Sequence, residues 1–235
     1  MKELDVFISG ETVDLCIPTL EFAKNSLWYS WFNNKKLTRY LNGQGLFPVT
    51  ADMQAEYLNS QNQDRLLLIV SNKSNYMGVV SLSSIDMITN TCEVATIVDP
   101  TVDFQSPYIV LESVALITQY AFDVLGINRI SGGNHIALSG WRRRMELLGY
   151  MVEGIKTNGF VKGREVCDGV TVACVYDNYQ YLLSRRNGSL WDSKDKFEKR
   201  FKQLPKEDFT KKLNTFYSEE REEYYKKIFN LESNN

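Results

Sequence analysis

Hydrophobic positions change period several times along this chain, and each change marks an element. Residues 65–70 and 92–98 are largely apolar runs bounded by polar turns, the pattern of buried strands. Residues 77–82 form a third such run after the turn at 71–75, so they return as the partner of the first. Residues 86–91 are the next polar turn. At 110–125 the period becomes helical, with Val114, Ile117, Ala121 and Phe122 on one face. Upstream, 12–17 predicts a first strand. Pro18 opens a helix whose apolar face carries Phe22, Trp28, Trp31 and Phe32. A second helix is expected at 37–41, broken at Asn42, Gly43 and Gly45, and Thr50 is the expected N-cap of a third at 51–58. Beyond the long helix, 128–132 predicts a strand, 138–148 a helix and 151–158 a strand. A hairpin about Lys162, Gly163 or Arg164 leads into a last strand at 169–176. The order β–α–α–β–β–β–α–β–α–β–β predicts a mixed α/β sheet flanked by helices.

Past Asn187-Gly188-Ser189 the composition shifts to interspersed charges of both signs. Two amphipathic helices are expected there. Phe197, Phe201 and Leu204 stripe the first, which stops at Pro205; Phe209, Leu213, Phe216 and Tyr217 begin the second, with Tyr224, Ile228 and Phe229 further on. The expected organisation is therefore a domain at 1–186 and a charged helical C-terminal extension at 187–235.

Composition removes several function classes. A formal net charge of -2 over 235 residues argues against wholesale nucleic-acid binding. No run of eighteen apolar residues is present, so no membrane span is expected. The first twenty residues lack the apolar stretch of a signal peptide. Cys16, Cys92, Cys167 and Cys174 match no metal spacing, and Cys92 and Cys174 lie in apolar runs, so free thiols and a cytoplasmic location are expected. His135 is the single histidine, which excludes a multi-histidine metal centre; no metal is expected.

The chemistry concentrates at 127–154, INRISGGNHIALSGWRRRMELLGYMVEG. This reads as a strand, a short loop holding Asn134, a helix carrying Ser139, and a turn at Leu148-Gly149-Tyr150 into another strand. Helix N-termini expose N–H groups that hold ligands. The stretch resembles the end of the acyl-CoA-binding core of the GNAT (general N-acetyltransferase) superfamily, in its RimJ/RimL-like branch. The resemblance runs from about Val6 to Leu183. Upstream it rests on Trp28-Tyr29-Ser30-Trp31-Phe32-Asn33-Asn34, Thr38-Arg39-Tyr40-Leu41 and Phe47-Pro48-Val49-Thr50. Further on it rests on Gly78-Val79-Val80-Ser81-Leu82 and on the run from Ala121 to Ile130.

The resemblance implies a mostly antiparallel central sheet with one splayed parallel strand pair, helices on its faces, and C-terminal helices added to it. It implies acetyl-CoA as cosubstrate and direct attack of a primary amine on the thioester. Such chemistry needs a base for the amine, donors for the oxyanion and an acid for the thiolate. Glu93 takes the position of the base; an outward-facing, solvated or ion-paired Glu is the other reading. Ser139 takes the position of the acid; a helix-interior serine bonded to a carbonyl is its alternative. Asn134 corresponds to a residue that holds the pantetheine arm, or caps the following helix. Val94, Ala95 and Ile97 lie on the strand that pairs with pantetheine amides.

The family's pyrophosphate loop, R/Q-x-x-G-x-G/A, corresponds to Gln105, Ser106, Pro107, Tyr108, Ile109 and Val110, which hold no glycine. Pro107 removes one N–H, while Glu112 matches a common family residue. Other residues carry blander readings. Tyr150 and the Trp28, Trp31 and Tyr40 set are expected in the core or as pocket walls. Arg142, Arg143 and Arg144 are expected as a solvated helix face or as partners of the CoA 3′-phosphate, and His135 as incidental. The entry region, Trp31 to Thr50, is similar to members that acetylate amino sugars. An amino sugar, possibly nucleotide-linked, is the first acceptor expected and a protein amine the second. The alternative is a GNAT-shaped module with weak or lost CoA binding that meets a protein partner, or a second copy, through its C-terminal helices.

Overall fold

The computed structural model describes residues 3–60, 63–99 and 106–231. Its centre is an eight-stranded sheet in the order β1-β2-β3-β4-β5-β6-β8-β7. The strands are β1 (Val6–Ser9), β2 (Asp14–Cys16), β3 (Leu66–Ser71), β4 (Tyr76–Asp86), β5 (Thr91–Val98), β6 (Arg129–His135), β7 (Met151–Lys162) and β8 (Glu165–Val175). All neighbours are antiparallel except β5 and β6. The expected mixed sheet with one parallel pair is therefore present.

Each face carries its own core. On one, α5 (Ser106–Asp123) lays Leu111, Val114, Ile117 and Ala121 against Val80, Leu82, Cys92 and Ile130. On the other, α1 (Leu20–Asn25), α2 (Trp28–Asn33), α3 (Lys35–Thr38) and α4 (Ala51–Asn59) surround Phe22, Trp28 and Trp31, which pack with Ile69, Val79 and Ile97. Trp28 and Trp31 are thus core, not pocket walls. Alternation along β5 sends Cys92 to the first core and Ile97 to the second.

Several boundaries depart from expectation. Pro18 lies outside α1, whose N-cap is Thr19: its hydroxyl accepts the Phe22 N–H at 3.1 Å. Thr50 caps α4 as expected, accepting from Met53 N–H at 3.2 Å. The strand expected at 12–17 is the second arm of a hairpin. Its first arm, β1, is a four-residue, largely apolar run, Val6 to Ser9, that stays mostly exposed at the edge of the sheet. Helix α7 (Tyr176–Arg185) follows β8 directly.

The C-terminal segment begins inside the main core. Leu190, Trp191 and Phe197 are buried there, and Trp191 stacks on Phe197 at 4.4 Å. Glu11 in the β1–β2 turn accepts from Trp191 Nε1 and Lys194 N–H, both at 2.8 Å. Helix α8 (Lys194–Gln203) is followed by α9 (Phe209–Phe216), a π-helical turn at Tyr217–Arg221, and α10 (Glu222–Phe229), which buries no residue. The arginines of α6 (Ser139–Glu146) are not a free solvated face. Arg142 is buried and donates to His135 O and Ile136 O at 2.8 Å each, while Arg143 and Arg144 lie over the Phe201 ring of α8. No described helix is long and apolar enough to cross a membrane.

Candidate active site

The site is made where two parallel strands stop pairing. β5 and β6 are in register only at Thr91–Arg129, Cys92–Ile130 and Glu93–Ser131. Beyond these, β5 continues to Val98 on β4, and β6 continues to His135 on β8. The facing edges of 94–98 and 132–135 therefore have no strand partner in each other. Backbone N–H and C=O groups facing a cleft are obligate hydrogen-bonding groups, and an extended amide chain is the ligand that satisfies such an edge.

Two glycines line the gap, and neither is forced by close packing. A Cβ on Gly132 would sit 3.5 Å from Val172 and 3.8 Å from Val94, and one on Gly133 would meet nothing within 4 Å. They also hide the strand: with no apolar alternation at 132–133, the sequence pattern ends β6 too early. Asn134 is consequently not in a loop. It is the penultimate residue of β6, opposite Val170, and lines the gap from within the sheet.

Three cavities meet there. A narrow one of about 280 Å³ lies on the α5 side of the gap, with Val94, Val110, Gly132, Asn134 and Trp141 in its wall. A second of about 610 Å³ opens on the other face, beside Glu93, Arg129, Asn134, Glu153 and Thr171. A third of about 560 Å³ runs under α4, past Met53, Tyr57 and Leu67 to Ala95 and Ile97. Leu41 and Ala95 line all three. The segment joining α3 to α4 thus forms a shared wall.

Glu93 is exposed and faces the second cavity. Arg129 and Glu153 beside it form a two-pronged ion pair at 2.7 and 2.5 Å. That bond holds the Arg129 pKa above and the Glu153 pKa below their ordinary values. Of the expected residues, the structure brings together Glu93, Val94, Ala95, Ile97, Val110 and Asn134. Ser139 is the first residue of α6; its neighbours Leu138 and Trp141 line the narrow cavity, and it does not. Tyr150 is fully buried, its hydroxyl 2.7 Å from Thr118 Oγ1, and burial raises its pKa far above normal.

The helix expected from 110 begins earlier, inside the segment that corresponds to the pyrophosphate loop. Gln105 lies outside the described residues, but Ser106 already opens α5, so Tyr108, Ile109 and Val110 are helical. Ile109 is buried, and Tyr108 packs under the Arg144 guanidinium at 5.7 Å. Glu112, in the second turn, is fully buried. It accepts from Thr12 N–H at 3.0 Å, from Thr12 Oγ1 at 2.5 Å and from the Glu11 N–H. Desolvation raises its pKa, and these bonds partly oppose the shift. It staples the β1–β2 turn to α5.

Sequence reasoning passed over one cluster. His135 Nε2 lies 3.0 Å from Cys167 Sγ and 3.4 Å from Glu165 Oε1. These three ligand-type atoms lie within 4.8 Å of one another. Its Nδ1 accepts the Ala137 N–H at 3.1 Å, so in the neutral ring the proton sits on Nε2. A metal at Nε2 would need the opposite tautomer, and a donor-facing Nδ1 does not supply the usual supporting acceptor. The ring is instead clasped between Tyr40 at 4.7 Å and Phe160 at 4.5 Å.

Comparison with known proteins agrees with this geometry. The model of the acetyltransferase (GNAT) domain matches residues 15–151. No curated protein sequence matches the chain. Among solved structures, a GCN5-related N-acetyltransferase from Brucella melitensis is similar at 22% identity and a TM-score of 0.65, covering 86% of this chain and 96% of its own. Spermidine N-acetyltransferase from Vibrio cholerae, in complex with CoA and spermine, is similar at 16% identity and a TM-score of 0.62, covering 72% of this chain and 98% of its own. Mycobacterium smegmatis RimJ, in complex with CoA-disulfide, is similar at 12% identity and a TM-score of 0.62, covering 74% of this chain and 88% of its own. A matched model spanning more than half the residues, over a sheet that parts between β5 and β6, places the chain in the GNAT acetyltransferase family.

Proposed function

We propose that this enzyme transfers an acetyl group from acetyl-CoA to a primary amine, with an amino sugar as the first acceptor class and a protein amine as the second. The observation that carries the reading is the unpaired edge of 94–98 facing 132–135, with two glycines, Gly132 and Gly133, lining the gap. The residues fit an acyl-CoA. The two strand edges offer main-chain donors and acceptors to the pantetheine amides, and Asn134 adds a side-chain amide. Bound there, acetyl-CoA supplies an activated thioester carbon.

The chain's own residues do the rest. Glu93, facing the polar cavity, takes the amine proton directly or through one water. N–H groups on the cleft edge of β5 are fixed donors for the developing oxyanion. Ser139 is the proposed donor to the departing thiolate, since Tyr150 is sealed in the core. Arg144 stands against the first turn of α5, where a cation opposes the helix dipole but complements an anion held between them. It supports phosphate binding without glycines. The polar walls of the second cavity suit a hydroxyl-rich acceptor.

Calorimetric titration with acetyl-CoA and desulfo-CoA tests the reading, followed by turnover with amino sugars and with peptides. Micromolar binding and acetylated amine are expected. Absence of binding at millimolar cosubstrate would instead favour a module that meets a partner through α9 and α10.

A further inference from the structure

Lys162, the last residue of β7, sits beside a two-residue hairpin turn in which Gly163 has φ +61°. Its ammonium does not point to solvent. It donates to Thr38 O at 2.5 Å, Leu41 O at 3.0 Å and Gln44 O at 2.7 Å. An ammonium has three donors and no acceptor, so all three are used, and all on one segment. Three carbonyl dipoles from the end of α3 and the turn after it converge on one charge more than 115 residues away in sequence.

That segment is the wall common to the three cavities. Tyr40, Leu41, Asn42 and Gln44 line them, yet most of 39–48 is exposed and little apolar packing holds it. Other ties act beside it: Leu41 donates its N–H to Thr38 O at 2.9 Å and packs against the second core. Asn33 exchanges two bonds with the Val49 backbone at 2.7 and 2.8 Å, fixing the far end, and the Tyr40 ring rests on His135. Gly45, at φ +76°, turns so tightly against α3 that a Cβ would collide with Thr38 Oγ1. Between these ties, the carbonyls that shape 38–44 would repel one another around an empty point if the ammonium were removed.

We infer that Lys162 is a positioning residue, its ammonium the pin that holds residues 38–45 as the acceptor-side wall. The effect on catalysis rests on the acetyltransferase reading above; the pin itself does not. Lys162 lines none of the three cavities described above and is given no part in the chemistry. Arginine is a poor replacement, because a planar fork cannot aim at three carbonyls converging from one side.

The test is amide hydrogen exchange on full-length protein, paired with steady-state kinetics. In Lys162→Met, exchange at 38–45 is expected to accelerate by about tenfold or more, with β6 and α5 unchanged. KM for the amine is expected to rise by about tenfold, while kcat and the acetyl-CoA Kd stay within about threefold. Lys162→Arg should fall between the two. Lys162→Cys treated with bromoethylamine, which rebuilds an ammonium at the same reach, should recover protection; wild type treated alongside controls for Cys167. Unchanged exchange at 38–45 in Lys162→Met, or a thialysine that restores nothing, overturns the inference. If wild type acetylates no amine, the enzymatic reading fails, and the exchange data still decide the pin.

Discussion

Replacing Tyr150 with Phe separates a structural hydroxyl from a catalytic one. Tyr150 is the obvious rival to Ser139 as donor to the thiolate, since it follows Leu148-Gly149 at the start of the strand after α6. The structure assigns its hydroxyl to Thr118 of α5, with no solvent exposure on either side chain. Burial also drives its pKa up, away from a thiol's ordinary value of about 8.5, so proton transfer to a thiolate is uphill. Tyr150→Phe removes one neutral hydrogen bond and leaves Thr118 Oγ1 to bond its own helix. The cost is about 1 kcal/mol, the lower part of the range for a buried donor that loses its partner. For a chain of this size that corresponds to roughly 2–4 °C in Tm. The double variant Tyr150→Phe/Thr118→Val should be closer to wild type than the sum of the singles, because both polar partners are then gone. Thermal melts of the four proteins give the cycle, and acetyl transfer measured on the same preparations gives the function. Turnover should stay within about twofold of wild type. A loss of about a hundredfold in Tyr150→Phe at unchanged Tm would refute the reasoning and place the phenol at the reacting thioester.

Three further substitutions test other parts of the molecule. Glu93→Gln should lower turnover by about 10²–10⁴ at neutral pH without altering acetyl-CoA affinity; unchanged turnover would make Glu93 a solvated surface group. Arg144→Met should weaken acetyl-CoA about fivefold, the scale of one partly exposed charge near a helix end, and should reduce the salt dependence of binding. A drop in Tm with unchanged affinity would reduce Arg144 to a tie between α6 and Phe201. Glu112 has a raised folded-state pKa, so its contribution is fully present below the ordinary Glu value and is lost as pH climbs through the folded value. Glu112→Gln, which can still accept from the backbone and donate to Thr12 Oγ1, should flatten the fall in Tm from pH 4.5 upward; a parallel slope in both proteins would remove Glu112 from the pH dependence.

What the sequence discloses here follows period and burial. Strands β3, β4 and β5 and helix α5 are two-sided or amphipathic, so their apolar runs locate them to within a few residues. Strand β1 is only four residues long, and Gly132-Gly133-Asn134 near the end of β6 carry no apolar alternation, so the first is easily passed over and the second is cut short. The residues that hide the end of β6 are the ones that line the gap. Glu93, Ala95 and Asn134 could be placed beside the strand gap because they lie on elements whose order resembles a known fold. Lys162 was not legible: an isolated lysine at a hairpin looks like any surface charge, and only the tertiary structure supplies its three carbonyls. Arg142 misled in the opposite sense. In a run of three arginines it reads as solvated, yet it is buried and satisfies two carbonyls at the β6–α6 turn.

The loss of glycines before α5 can be weighed against what replaces them. Glycine serves such a loop by letting phosphate oxygens reach several N–H groups at once. Helix α5 still begins at Ser106, and a first-turn proline removes a donor that no intrahelical bond required. The Tyr108 and Ile109 N–H groups remain part of that first turn. The Tyr108 side chain packs toward Arg144, and Ile109 points into the core. Arg144 is itself anchored: it stacks on Phe201 of α8 at 4.2 Å and donates to Gly140 O at 3.0 Å. A guanidinium beside a helix N-terminus is electrostatically unfavourable by itself, and Phe201 provides one reason for it to be there. An anion between the two would provide a second. Such an anion would join the C-terminal segment to the proposed phosphate end of the site, because α8 supplies the ring that holds the charge.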